Sequence, residues 1–451
     1  MLLQKPAFLL FYHARAAEAS FGEWLGVLWH GLSLDCTVAG YVTAFPVLVA
    51  LASFWIPLSQ RVWRIVLTVY FSLIALVTAA IFAVDLNLYG YWGFRLDGSV
   101  LIYLSDPGEA LASASWGEVL RQILIMLVYA GAMIWSYRWI LRLFRVEPVP
   151  LRGRIVPTVA TLLIGGLTFL AIRGGVTVAT ANVSKVYFSS NMFLNHAATN
   201  PVFSFLSSVG DNENYAEAYP FFEEERRKTL FEELRGNRPG ADAGTPRLLR
   251  SDRPNVVLIL LESFGRTIMD ETVNGEPVMP NMQRFKREGV WFENFFANSF
   301  RTDRGQVAVL CGFPAQTTMS IMKLPRKSAT LPSLARSLGR EGYRSVFMYG
   351  GDLNFTNQAS FMYSTGWEEL IWQKDMQLDA PTSKWGYADD VVVDLFGDEV
   401  EALGRAEQPF LAGLLTLSSH EPFEVPFAKF DDKLLNAMAF SDAQIGRLID
   451  R

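Results

Sequence analysis

Four long apolar segments near the start of this 451-residue chain limit what it can fold into more than any other feature. They are residues 36–57, 65–84, 122–141 and 155–172. Only the third contains a charged residue, Arg138, whose long side chain can reach the membrane interface from inside a helix. About 20 apolar residues cross a bilayer as a helix, so all four are long enough. Core helices of a soluble protein are the alternative, but four charge-poor runs so close together favour a transmembrane bundle over residues 1–173.

Charges in the connecting loops indicate how this bundle is oriented. Residues 58–64 and 142–154 are rich in arginine and contain a single acid. The loop 85–120 instead carries five acids against one arginine. The positive-inside rule places arginine-rich loops in the cytoplasm. The sequence therefore predicts a multi-pass protein of the cell membrane, with everything after residue 173 outside the cytoplasm.

Shorter segments flank the spans. Residues 17–34 are rich in tryptophan and amphipathic, which is typical of a helix lying in the outer interface. Residues 7–12 are too short to span and are either the stub of a further helix or a hydrophobic tail. Residues 221–235 alternate charge signs at helical spacing, which predicts a solvated helix. The Gly- and Pro-rich run 236–254 then predicts a linker, so residues 174–253 form a connector.

From residue 254 the pattern changes to apolar strands separated by helices. The run 256–261 is continuously apolar, as in a strand buried on both faces, and residues 344–349 and 410–417 predict two further strands. Helical patterns at 331–341 and 388–404 separate them. Alternating helices and strands predict an α/β domain over 254–451, with a mainly parallel sheet covered by helices on both faces.

Polar residues follow each predicted strand. They are Glu262-Ser263, Gly350-Gly351-Asp352 and Ser418-Ser419-His420. Open α/β sheets bind ligands at the carboxyl ends of their strands, so these groups predict a shared site. Each of them taken singly is a weak signal, since a glutamate after a strand is more often a cap or a solvated group.

Thr302 lies in the segment 298–305 (NSFRTDRG), just before a predicted short helix at 303–311. The amino end of a helix stabilises anions, phosphates included. A hydroxyl held there by a metal ion can act as a nucleophile. The alternative is that Thr302 is an ordinary N-cap and Arg304 a surface charge.

Composition excludes several classes of protein. A net charge of −5 and a pI near 5.6 argue against nucleic acid as a partner, since binding to its phosphates needs a basic surface. Two cysteines, Cys36 and Cys311, cannot build a disulfide framework or a cysteine zinc site. Four histidines are too few for a histidine-rich metal cluster.

Several motifs together resemble one protein family. They are the membrane bundle, YFSSNMFLNHAATNPVFSF (187–205), PNVVLILLESF (254–264), Thr302 before a helix, and LTLSSHEPF (415–423). In order and spacing they resemble the lipoteichoic acid synthase-like branch of the alkaline phosphatase/sulfatase superfamily, over nearly the whole chain. The resemblance implies that Glu262 and Thr302 bind a divalent metal ion, with Mn²⁺ expected and Mg²⁺ or Zn²⁺ as alternatives. It further implies that Thr302 takes a phosphoglycerol group covalently and that His420 contacts the substrate phosphate.

Two regions depart from the family pattern. After Tyr349 the family often has a histidine followed by tryptophan and arginine, whereas this chain has YGGDLNFTN (349–357). Asp352 and Asn357 are therefore the substrate-binding candidates in this loop, and the head group stays open. The family also completes its metal site with an Asp-His pair beyond a helix resembling residues 436–451. Because the chain ends inside that helix, the expectation is a fragment whose metal site is incomplete.

The predicted function follows from the resemblance and the membrane location. An enzyme outside the cytoplasm has no ATP, so it must use an activated donor such as a phosphatidylglycerol-like lipid. The predicted reaction moves a phosphoglycerol-type head group to a glycan or glycerophosphate acceptor through a phosphothreonine. Arg301 or Arg304 would neutralise the phosphate oxygens.

Three alternatives remain open. Phosphoethanolamine transferases usually carry several disulfides in the soluble domain, unlike this chain with its lone Cys311. Sulfatase-type hydrolases need a Cys or Ser in a C/S-x-P-x-R context, which Thr302-Asp303-Arg304 does not supply. The third alternative is an inactive lipid-binding or regulatory membrane protein on the same scaffold, against which the presence of Thr302 and Glu262 argues.

Overall fold

A computed structural model describes residues 2–104, 115–143, 150, 153–209, 221–235, 249–316 and 319–451. Its helices before the sheet are α1 (Gln4–Phe11), α2 (His13–Ala16), α3 (Phe21–Ser53), α4 (Gln60–Trp92), α5 (Trp116–Leu141), α6 (Ile155–Arg173), α7 (Met192–Ala198), α8 (Pro201–Ser208) and α9 (Glu224–Arg235). Parts of the predicted loops 85–120 and 142–154, and most of the predicted linker 236–254, lie outside the described residues.

Four of these helices, α3 to α6, are long and apolar enough to cross a membrane. Nearly all of each predicted span lies within one of them, so the predicted bundle of apolar helices is confirmed. The separate interfacial helix predicted at 17–34 is wrong, because α3 runs unbroken from Phe21 to Ser53. Ser20 starts that helix: its hydroxyl accepts the Glu23 amide, and the Glu23 carboxylate accepts the Ser20 amide at 2.7 Å.

Two buried ion pairs tie α3 and α4 to their neighbours. Lys5 of α1 pairs with Asp35 of α3 at 2.6 Å, and Arg95 pairs with Asp85 of α4 at 2.9 Å. Residues 7–12 therefore belong largely to a packed helix, in which the buried Phe8 ring lies 4.3 Å from the Arg95 guanidinium. Removing one partner of such a pair leaves an uncompensated buried charge.

His196 of α7 is buried against the end of α4. Its Nδ1 lies 3.1 Å from the hydroxyl of Tyr89. Burial lowers the pKa of His196 to about 3, and the nearby Arg95 and Arg15 guanidinium groups add to the decrease. The imidazole is therefore neutral at physiological pH.

Acidification should destabilise this part of the molecule. The unfolded chain binds a proton at His196 near pH 6.5, whereas the folded chain does so only near pH 3. The contribution of His196 to stability is therefore complete above pH 6.5 and is lost as the pH falls, by up to about 1.4 kcal/mol per pH unit. Thermal melting of the detergent-purified protein between pH 7 and pH 5 measures this. His196→Gln should show a weaker pH dependence, and equal dependence in both proteins would contradict the assignment.

The second half of the chain forms the predicted α/β domain. Its strands are β1 (Val256–Leu260), β2 (Thr272–Val273), β3 (Glu276–Pro277), β4 (Arg344–Tyr349), β5 (Glu369–Trp372) and β6 (Phe410–Leu415). Its helices are α10 (Arg266–Met269), α11 (Pro280–Glu288), α12 (Thr302–Cys311), α13 (Pro325–Ser328), α14 (Leu334–Arg340), α15 (Gln358–Ser364), α16 (Asp389–Gly404) and α17 (Lys433–Asp450). Four strands pair in parallel in the order β1-β6-β4-β5.

Alternating side chains of the central strands fill two separate cores. In β4, Phe347 packs into the cluster that includes α12 and α15, whereas Val346 and Met348 pack into the cluster beneath α16 and α17. All six residues of β6 are buried. Helices thus cover both faces of the sheet, which explains why β6 and the last four residues of β4 are apolar or glycine.

The residues that follow α4 and α6, here called the membrane-side segment, contact the α/β domain directly. The joining contacts are Asn182 Nδ2 to the Asn354 carbonyl at 2.8 Å, the Ser360 amide to Ser184 Oγ at 3.0 Å, and the ion pair of Arg326 with Asp97 at 3.2 Å. Residues just after α4 and α6 therefore hold the domain that carries the predicted site.

Candidate active site

Glu262 and Thr302 lie side by side at the carboxyl edge of the sheet. The Thr302 hydroxyl donates a hydrogen bond to Glu262 Oε2 at 2.8 Å. Glu262 follows β1 by two residues, and Thr302 is the first residue of α12. Both side chains are half-buried, so they pair while keeping access to solvent. The structure thus brings together the two residues predicted as metal ligands.

Backbone contacts fix the position of Glu262. Its amide donates to Thr416 Oγ1 at 2.8 Å, and its carbonyl accepts from Ser419 Oγ at 2.6 Å. Thr416 and Ser419 belong to the segment after β6, so these hydrogen bonds link the carboxyl ends of the neighbouring strands β1 and β6. Ser263, at a φ of 60°, also donates to Glu262 Oε1 at 3.1 Å. The sequence analysis did not predict these positioning roles.

The amino end of α12 shows that Thr302 is not an N-cap. Arg301 is the residue at the N-cap, in extended conformation, and makes no side-chain cap. The Thr302 hydroxyl is instead committed to Glu262. Arg304 is 8% exposed, so the alternative of a surface charge is wrong for it. Its guanidinium donates to Ser299 Oγ at 3.4 Å and lies 5.6 Å from the Phe300 ring.

His420 lies against an aromatic residue that the sequence analysis missed. Its ring lies 4.3 Å from the Trp385 ring, and both side chains line a small cleft. Trp385 Nε1 donates at 2.8 Å to the Glu421 carbonyl, which His420 Nδ1 also approaches at 2.9 Å. The only available signal was a tryptophan in an irregular segment before α16.

A buried carboxylate positions the segment that carries His420. Asp389, the first residue of α16, accepts the amides of Leu417 and Ser418 at 2.7 and 3.2 Å and the hydroxyl of Ser441 at 2.6 Å. Burial raises the pKa of Asp389, and these donors act against that rise. Asp389 therefore organises the loop without reaching its surface.

Asp352 and Asn357 make local contacts. Asp352 Oδ1 accepts the Asn354 amide at 2.9 Å, which closes a turn after β4. Asn357 is buried in a left-handed conformation, and its Nδ2 donates to the Lys323 carbonyl at 3.3 Å. Both residues thus have local structural roles. Asn357 also lines a cavity that is separate from the cleft beside His420.

The Glu262 carboxylate and the Thr302 hydroxyl are oxygen donors, which suit hard divalent ions such as Mg²⁺ and Mn²⁺. The donor atoms of these two residues are therefore of the type that such an ion binds. The part of the chain that the structure describes contains no group of three His, Cys, Asp or Glu side chains that could hold a metal. These two residues are thus candidate members of a ligand set.

Comparison with known proteins places the second half of the chain in a family. Residues 254–451 match the family model described as Sulfatase. Phosphoglycerol transferase I of Xanthomonas campestris pv. campestris is 35% identical over 224 residues, covering 44% of this chain and 31% of that protein. Lipoteichoic acid synthase 1 of Bacillus subtilis is 30% identical over 191 residues, covering 38% and 27%. The chain thus matches about a third of the length of these curated relatives.

A solved structure of a protein in the alkaline phosphatase superfamily from Vibrio parahaemolyticus is 29% identical, with a TM-score of 0.42 over 45% of this chain and 51% of that one. The family model covers all six strands and the pair formed by Glu262 and Thr302. Residues 254–451 thus form an α/β domain that is similar to the family described as Sulfatase.

Proposed function

We propose that this protein is a membrane-anchored transferase that moves a phosphoglycerol-type head group from a phospholipid to an acceptor hydroxyl. The observation that carries the proposal is the 2.8 Å hydrogen bond from Thr302 to Glu262 at the carboxyl edge of the sheet. It pairs a hydroxyl with a carboxylate at the start of a ten-residue helix. Relatives named phosphoglycerol transferase I and lipoteichoic acid synthase 1 support this substrate class.

The proposed reaction has two steps. In the first, Thr302 Oγ1 attacks the phosphorus of the lipid, and the bond between phosphorus and the diacylglycerol oxygen breaks. Diacylglycerol then leaves with the proton that Thr302 gives up. In the second, an acceptor hydroxyl attacks the same phosphorus and breaks its bond to Thr302, which regains a proton. The acceptor is a glycan or glycerophosphate hydroxyl.

The chain's own residues have distinct roles in this scheme. Glu262 orients the Thr302 hydroxyl through their hydrogen bond. The backbone amides at the start of α12 favour a negatively charged phosphoryl group near Thr302. His420 contacts the phosphate, with Trp385 holding its ring.

Glu262 and Thr302 would supply two oxygen ligands to a divalent ion, for which we propose Mn²⁺, with Mg²⁺ and Zn²⁺ as alternatives. When bound, such an ion lowers the pKa of the coordinated hydroxyl and polarises the phosphoryl group.

Lipid specificity tests the reaction class. Membranes containing the protein should release diacylglycerol from phosphatidylglycerol and transfer its labelled glycerol phosphate, because the proposed nucleophile attacks phosphorus. Phosphatidylethanolamine and phosphatidylcholine labelled in their head groups serve as controls. Transfer of labelled ethanolamine phosphate would instead identify a phosphoethanolamine transferase. Release of no diacylglycerol from any lipid would favour the inactive binding protein.

Topology tests the proposed location in the cell membrane. The arginine-rich loops 58–64 and 142–154 support a location of residues 174–451 outside the cytoplasm. A protease added to intact spheroplasts should therefore cut within this region, as seen by the size of the fragments on a denaturing gel. Complete protection of the chain would contradict the orientation. A cytoplasmic marker protein that stays intact controls for leakage.

A further inference from the structure

A cavity of about 550 Å³ lies between the membrane-side segment and the α/β domain. One wall comes from residues 94–97, which follow α4, and from α7 and α8. The other comes from residues 323–327, residues 355–357 and Arg301. Its volume is within the range of roughly 300–1,000 Å³ that small-molecule sites occupy. Glu262, Thr302 and His420 do not line it, although Arg301 directly precedes Thr302.

The length of α4 places this cavity near the lipid head groups. With 33 residues, α4 is about 50 Å long. A bilayer including its head groups is about 40–45 Å thick. Arg95 and Asp97 follow the end of α4 directly and lie in the cavity wall. A ligand in the cavity would therefore lie at or just above the level of the phosphates of one leaflet.

Cations on the domain side give the cavity a positive character. Lys323 and Lys327 are exposed in its wall, and within the described residues neither has a carboxylate at ion-pair distance. Arg326 pairs with Asp97 and lies 4.3 Å from the ring of Trp92 at the end of α4. An anion is thus favoured over a cation or a neutral molecule.

Buried polar atoms of His196 and Asn357 in the wall call for hydrogen-bonding partners. His196 Nε2 and Asn357 Oδ1 have none among the described residues, although their residues are only 6% and 8% exposed. Buried polar groups are nearly always hydrogen-bonded. Because Asn357 Nδ2 donates to Lys323, its Oδ1 needs a donor such as a hydroxyl. A phosphodiester group by itself has no hydrogen to donate, whereas a head group that also carries free hydroxyls does.

We propose that this cavity binds the hydroxyl-bearing phosphate head group of an anionic membrane lipid. The phosphate would lie toward Lys323 and Lys327, and the hydroxyls toward Asn357 and His196. The further idea that a donor lipid approaches Thr302 from this site rests on the proposed function. Binding of the head group in the cavity needs no turnover, so it can be tested separately.

Binding is measured by calorimetry on detergent-purified Thr302→Ala protein, in which the proposed nucleophile is absent. The probes are dihexanoyl phosphatidylglycerol, dihexanoyl phosphatidylcholine and soluble sn-glycerol 1-phosphate. The first should bind more tightly than the other two, because only it combines the anionic polyol phosphate with a lipid anchor.

Three variants of this protein test the cavity itself. Ser204→Phe fills the cavity without changing charge and should abolish binding. Asn357→Asp is isosteric and places a negative charge there, and it should weaken binding about tenfold. Lys323→Gln combined with Lys327→Gln should have a similar effect. The control, Arg340→Gln combined with Lys433→Gln, removes two exposed cations outside the cavity and should leave affinity unchanged.

Unchanged affinity in both Ser204→Phe and Asn357→Asp would overturn the proposal, since the second keeps the shape of the folded protein. Tighter binding of soluble glycerol phosphate than of the lipid would overturn the assignment to a lipid. If the native protein transfers no head group but these binding effects appear, the cavity assignment stands and the proposed transferase function fails.

Discussion

Replacing Thr302 with alanine should abolish diacylglycerol release from phosphatidylglycerol and leave no label on the protein. The proposed covalent bond forms at Thr302 Oγ1, and Glu262 holds that oxygen at 2.8 Å. Removing a covalent nucleophile costs about 10⁴-fold or more in turnover. The measurement is release of diacylglycerol in native membranes, together with mass spectrometry of the peptide that contains Thr302 after incubation with head-group-labelled lipid.

Two further variants separate chemistry from folding. Thr302→Ser keeps a hydroxyl and should retain part of the activity and the label. His420→Ala should be intermediate, because it removes a phosphate contact and leaves the nucleophile. The melting temperature should change little in Thr302→Ala, since Thr302 does not cap α12 and one hydrogen bond contributes only about 1 kcal/mol. Lipid cleavage at the native rate by Thr302→Ala would reject the covalent mechanism.

Glu262→Gln should reduce turnover by about 10³-fold while leaving the fold intact, the loss expected for a group that supports the nucleophile. Glutamine has nearly the same shape but lacks the negative charge that would bind the proposed cation and orient Thr302. The contacts that fix residue 262 use its backbone amide and carbonyl, so they survive the change. Turnover measured across a series of Mn²⁺ concentrations checks the expected loss of activity. Thermal melting across the same series checks that the fold is intact.

The matched control is Glu271→Gln, which removes an exposed carboxylate elsewhere in the domain. It should retain full activity at every Mn²⁺ concentration. Native, metal-dependent turnover in Glu262→Gln would remove Glu262 from the site. A large fall in its melting temperature would show a role in folding instead.

Much of the sheet could be predicted because its central strands are buried on both faces. Residues 346–349 of β4 and all six residues of β6 are buried and pack into cores on either side, so these positions are apolar or glycine and are easily recognised in the sequence. The strand β5 was missed because it is four residues long at the edge of the sheet and begins with Glu369. The hairpin of β2 and β3 was missed because each strand has only two residues.

The site was predictable to the extent that its residues follow strands or open helices. Glu262 and Thr302 meet although they are 40 residues apart, because the sheet edge and the start of α12 converge. Trp385 gave no comparable signal, since it lies in an irregular segment. The cavity could not be predicted from the sequence for a different reason. Its walls include Arg95, His196 and Asn357, which only the tertiary structure brings together.

For the proposed transferase, the contacts between residues 182–184 and 354–360 would also determine how the protein encounters its lipid donor. A catalytic domain on a free tether would sweep over a wide disc of the bilayer surface. Here the domain is docked, so it stays at one place and in one orientation on the bundle. Encounter then depends on lateral diffusion of lipids to that place, a search in two dimensions. The acceptor of the proposed reaction would have to reach the same fixed place.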